Sequence, residues 1–113
     1  MTITTTMTTL NPDGTSATAA IELPDDFGYQ ALRALIEPAL GGGDMEHVAV
    51  LFEGHRRDMF VDEIGQLKGL PRNDRATEIY RHNWMTQHPA TDPETLPSIV
   101  GVAVLFPARM VWS

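Results

Sequence analysis

Met45-Glu46-His47-Val48-Ala49-Val50-Leu51-Phe52 alternates as a β-strand does, with His47, Ala49 and Leu51 to one side and Val48, Val50 and Phe52 to the other. Both faces are largely apolar, which predicts a strand buried in the middle of a sheet. Downstream, Glu53-Gly54-His55 is expected to turn the chain, Met59-Phe60-Val61 to form a second short strand, and Glu63-Ile64-Gly65 to turn it again. From Asn73, placed to cap a helix behind Pro71, Ala76, Ile79, Tyr80 and Trp84 recur on one helical face. Thr86 to Pro97 holds three prolines and no periodicity, so an exposed loop is expected there. Ser98 to Phe106 is the most apolar strand candidate, with Arg109 to Trp112 extending or following it after Pro107.

Upstream of Met45, Leu32, Leu35, Ile36 and Ala39 or Leu40 recur at three- and four-residue spacing, which predicts a helix capped by Asp25. Pro38 and Gly41-Gly42-Gly43 stop it. The glycine run reads as a helix end, because no Gly-Lys-Ser/Thr follows to make a phosphate loop. Asn11-Pro12-Asp13-Gly14 predicts a hairpin pairing Thr2–Leu10 with Thr15–Leu23; the other reading of residues 1–23 is a flexible Thr-rich arm. The order strand, strand, helix, strand, strand, helix, strand predicts an α+β fold of two layers. Its sheet would be mostly antiparallel, with both helices on one face.

The chain has 113 residues, about one domain, with residues 24–113 as its core. Without a cysteine it forms no disulfide and offers neither a thiolate metal site nor a Cys nucleophile. The run Ile99 to Phe106 is far short of the roughly 18 residues that span a bilayer. The start carries neither basic residues nor a continuous apolar stretch, so no secretory signal is read there and a cytoplasmic protein with no membrane association is expected. Fifteen acidic against eight basic side chains leave a net charge of −7, which disfavours nucleic acid as a partner. The basic side chains concentrate in the middle, where Arg56, Arg57, Lys68, Arg72, Arg75 and Arg81 stand among only five acids.

The stretch Val61-Asp62-Glu63-Ile64-Gly65-Gln66-Leu67-Lys68-Gly69-Leu70-Pro71-Arg72-Asn73, followed by Arg75-Ala76-Thr77 and later by Ile99-Val100-Gly101, resembles the signature of a small bacterial and phage family, the domain of unknown function numbered three-eight-four-six. The resemblance covers Gly43 to Phe106 and implies a short protein of a bacterium, plasmid or phage. It carries no activity with it. Thr86–Pro97 and the Thr-rich start depart from the family's usual length.

Six residues are candidates for a binding site. Asp62 and Glu63 are adjacent carboxylates at a strand end, suited to acid–base work or a hard cation, or to accepting loop amides in a turn. Lys68, the only lysine, is expected to pair with Glu63 across the turn; the other reading is a desolvated amine or a phosphate contact. Arg72, Asn73 and Arg75 cluster where a helix N-terminus already favours an anion, with simple capping by Asn73 as the structural reading. Asp74, Glu78 and His82 form a stripe that reads as a solvated face, so no metal site is assigned. His47, His55 and His88 are given no role. The three serines stand outside any nucleophile elbow, and no dinucleotide fingerprint is present. No catalytic residue and no cofactor is therefore assigned.

The expected function is a non-enzymatic binding module that recognises a protein or a small anionic ligand on the surface formed by His55 to Asn73 and the second helix. The alternative is a small metal-dependent hydrolase or nucleotide-processing enzyme using Asp62 or Glu63 with Arg72. A third reading has the apolar C-terminal strand and Trp112 complete the sheet of a homodimer.

Overall fold

A computed structural model describes residues 2–52 and 55–107, with the backbone alone at positions 52, 55 and 93. Strands β1 (Thr2–Leu10) and β2 (Ser16–Pro24) pair antiparallel in an unbroken register. Their turn closes through Gly14 N–H to Asn11 O at 3.0 Å and Asn11 N–H to Thr15 O at 2.9 Å, with Asp13 accepting from Thr15 N–H at 2.9 Å. The Asn-Pro-Asp-Gly hairpin is thus formed as expected. Helix α1 spans Tyr29–Ile36, and Asp25 does not cap it. Phe27 N–H bonds Pro24 O at 3.0 Å, so Asp25 is consumed in a turn and the helix begins behind Gly28. Its end is the expected one, with Gly42 N–H closing on Glu37 O at 2.8 Å.

Strands β3 (Met45–Phe52) and β4 (His55–Asp62) pair antiparallel, and β4 is longer than the three apolar residues that announced it. Helix α2 (Gly65–Lys68) is a single turn that no periodicity signalled, and α3 (Asp74–Gln87) begins at Asn73 as expected but runs past Thr86. The connection that follows is exposed and includes a 3-10 turn at Pro93–Thr95. Strand β5 is only Ala103–Leu105. The residues expected to begin it, Ile99 to Gly101, lie instead against Pro71–Asn73: Asn73 N–H bonds Ile99 O and Gly101 N–H bonds Pro71 O, each at 2.8 Å. Gly101, at φ 75°, turns the chain from that ladder into the sheet, and a Cβ there would lie 2.8 Å from Cδ1 of Leu70. The segments Pro71–Asn73 and Ile99–Gly101 are thereby joined.

The sheet order is β2-β1-β5-β4-β3, antiparallel throughout, and the α+β class is as expected. Two placements are corrected. Strand β3 is an edge and β5 is central, paired with Thr8–Leu10 on one side and with Met59 and Phe60 on the other. Apolar side chains on both faces of β3 report layers above and below it; they carry no information about neighbours at its edges. Ala103–Leu105 is consequently unavailable as a dimer edge, and Arg109 to Trp112 lie outside the described residues.

The second correction concerns the helices. Phe60, Val104 and Phe106 join a core with Leu32, Ile36 and Leu40 of the α1 segment, whereas Met59, Val61, Ala103 and Leu105 join a core with Ala76 and Ile79 of α3. Successive strand residues point to opposite faces, so α1 and α3 cover opposite faces of the sheet. Among the described residues, no helix is long and apolar enough to cross a membrane.

Candidate functional site

The structure gives each sequence-named candidate a distinct place, and it separates Arg56 and Arg57, beside the β3–β4 turn, from Lys68 at the far end of β4. Asp62 is buried at the end of β4 and faces Lys68, Oδ2 to Nζ at 2.7 Å, while its Oδ1 accepts from Ile64 N–H at 3.0 Å. The expected pairing of Lys68 with Glu63 is therefore corrected. Glu63 follows Asp62 and is exposed, and the single turn of α2 brings Lys68 back over the strand end where Asp62 points. Gly43 is fitted to this pair: a Cβ there would lie 2.5 Å from Oδ2 of Asp62 and 2.7 Å from Nζ of Lys68. The last glycine of the run thus makes room for an ion pair.

The ammonium of Lys68 and the Ile64 amide hold the Asp62 carboxyl below the usual aspartate value, against the opposing effect of burial. A carboxylate with a lowered folded-state pKa stabilises the protein above the unfolded-state value. That contribution is lost as pH falls through the folded-state one. Asp62→Asn is thus expected to cost stability near neutral pH, and its deficit relative to the wild type should shrink as pH falls below about 4. Urea titrations of both proteins from pH 7 to pH 2.5 measure this. A deficit that does not change with pH would mean that the Lys68 pair contributes nothing.

Arg72 meets Asp74 at 2.9 Å and Arg75 meets Glu78 at 3.3 Å, all four side chains being largely exposed. Asn73 is fully buried. Its Oδ1 accepts from Ala76 N–H at 3.1 Å, and its Nδ2 donates to Leu10 O and Gly101 O, both at 2.9 Å. The structure thus brings Asp62 and Lys68 together, leaves Glu63 apart from them, and commits the amide of Asn73 to joining α3, β1 and the segment before β5.

A different cluster lies where β3 and β4 approach the C-terminal half of α3. Ala49, Val50, Leu51, Arg56, Arg57, Asn83 and Gln87 line a cavity of about 470 Å³, against about 170 and 220 Å³ for two others. Among the described residues, the two arginines are its only charged lining. Asn83 Oδ1 accepts from Leu51 N–H at 2.7 Å and Nδ2 donates to Ala49 O at 3.4 Å, so its amide meets the outer edge of β3 as a strand backbone would. Gln87 Nε2 adds a bond to Asn83 Oδ1 at 3.3 Å. Sequence reading counted Arg56 and Arg57 in the basic middle without singling them out. The available signal was an Arg doublet beside a hairpin turn, with Asn83 and Gln87 four residues apart on a helix.

The cavity of about 170 Å³ is bordered by Glu46, Asp62 and Glu63 with Tyr80, and the one of about 220 Å³ by Tyr29, Arg33, Glu37 and Asp44. In the latter the Arg33 guanidinium is bound by Glu37 and Asp44, each at 3.2 Å. On β3 and β4, Nε2 of His47 stands 2.7 Å from the fully buried Asp58, a contact no sequence spacing revealed. Among the described residues no three of His, Asp or Glu stand close enough to hold a metal ion. Compared with family models, with curated proteins and with solved structures, the chain matches none.

Proposed function

We propose that this protein is a small binding module, without catalytic machinery of its own, that takes an anionic small molecule in the cavity between the β3–β4 hairpin and α3. One observation carries the reading: on a chain of net charge −7, Arg56 and Arg57 are, among the described residues, the only charged ones lining that cavity. A guanidinium offers a planar fork of donors that matches the oxygens of carboxylates and phosphates. The Asn83 and Gln87 amides add polar groups beside it, and the apolar side chains of Val50 and Leu51 complete the wall. Arg56 and Arg57 belong to the basic middle of the chain, whereas none of the six residues named from the sequence lines this cavity. Relation to the small bacterial and phage family it resembles belongs to the same proposal.

Isothermal titration with inorganic phosphate, pyrophosphate and citrate tests it. Binding of at least one of these is expected, weakened at least tenfold, about 1.4 kcal/mol, in Arg57→Gln. The double variant Arg72→Ala/Arg75→Ala should bind as the wild type does. Loss in the double variant alone would move the site to the start of α3, and no heat from any of the three anions would count against an anion site altogether.

A further inference from the structure

The two edges of the sheet are unlike. At β3, the Asn83 amide occupies Leu51 N–H and Ala49 O, so part of that edge is already taken up. At the other end, β2 presents Ser16-Ala17-Thr18-Ala19-Ala20-Ile21-Glu22-Leu23-Pro24, which is small, regular and mostly exposed, with one charge. Natural edge strands are usually blunted by lysines, prolines, bulges or shortness. Between Ser16 and Leu23, β2 has no lysine and no proline, and its register with β1 contains no bulge.

Which backbone groups face outward follows from the turn. Asn11 N–H bonds Thr15 O, and hydrogen-bonded pairs alternate from there along the ladder. Ala17, Ala19, Ile21 and Leu23 therefore direct their N–H and C=O groups toward β1. Ser16, Thr18, Ala20 and Glu22 direct theirs away from it, where no described residue meets them.

We propose that β2 pairs antiparallel with β2 of a second copy of this chain, about a two-fold axis at Ala19. In that register Ser16 lies opposite the partner's Glu22 and Thr18 opposite the partner's Ala20. All outward groups of the four residues are then used, in about eight hydrogen bonds. Pro24, which has no N–H to give, falls outside the pairing. The register is self-complementary: each Glu22 meets a serine, so no like charges face one another. On the α1 face it sets Ala19 against the partner's Ala19 and Ala17 against the partner's Ile21, adding apolar contact. Because the two-fold uses the β2 edge of both copies, and Asn83 takes up part of the β3 edge, the assembly closes as a dimer.

Sedimentation velocity on the full chain between roughly 10 μM and 1 mM should show the average mass rising about twofold. Over the same range, the amide protons of Ser16, Thr18, Ala20 and Glu22 should gain protection from hydrogen exchange. Ala20→Pro removes an outward donor that β1 does not use, and Ala19→Asp places two carboxylates side by side on the axis. Both variants are expected to stay monomeric across the range, with far-UV circular dichroism unchanged. A wild type that is monomeric at every concentration would overturn the proposal. So would a dimer that persists in both variants, or one that forms without protecting those four amides.

Discussion

Asn73→Ala is expected to lower the unfolding free energy by at least about 3 kcal/mol, a large share of the roughly 5 to 15 kcal/mol available to a domain of this size. One part is the lost helix cap, typically about 1 kcal/mol. The larger part comes from Leu10 O and Gly101 O, which lose a buried donor, at about 1 to 3 kcal/mol for each group left unsatisfied. Asn73→Asp separates the two terms. It keeps an acceptor for Ala76 N–H, yet it places a buried carboxylate against two carbonyl oxygens, so it should be no more stable than the alanine variant at neutral pH. Arg72→Ala, one residue away, breaks only an exposed ion pair and should cost less than about 1 kcal/mol. Urea unfolding of the three variants measures this series. An aspartate variant as stable as the wild type would show that the two carbonyl bonds are without weight.

The second large effect is Phe60→Ala. Phe60 is fully buried on the α1 face, edge-on to Phe106 with ring centroids 5.9 Å apart. Truncating such a ring costs about 3 to 5 kcal/mol. The effect also tests the placement of the helices. Ile79, fully buried in the α3-side core, packs on the other side of the sheet from Phe60. Phe60→Ala and Ile79→Val should then add to within about 0.5 kcal/mol in the double variant. Strong coupling between them would point to one shared core and both helices on one face.

Much of the fold was legible because its signals act over a few residues. The Asn-Pro-Asp-Gly turn set the β1–β2 register, and Asn73 opened α3 where a capping residue stands before an apolar helical face. Where sequence reading failed, the cause was local in one case and distant in another. Asp25 lost its cap to the turn between Pro24 and Phe27, whereas β3 was taken for a central strand because the helix residue that meets its edge, Asn83, is more than thirty positions away. The candidate site was legible as a basic region and illegible as a cavity. Lys68 was known to stand within reach of two adjacent carboxylates, yet which one it meets depends on a helical turn too short to show a period.

The amino-acid order by itself determined the α+β class, the N-terminal hairpin, the helix that follows Asn73 and the excess of negative charge, since each depends on local dihedral preference or simple composition. Tertiary structure alone decided that β5 lies between β1 and β4, that α1 and α3 cover opposite faces, and that Arg56, Arg57, Asn83 and Gln87 share one cavity. These depend on contacts between segments far apart in the chain, such as the Asn73 amide holding Leu10 across 63 positions. Their free energy exists only once the whole sheet has closed, so no single window of sequence contains it.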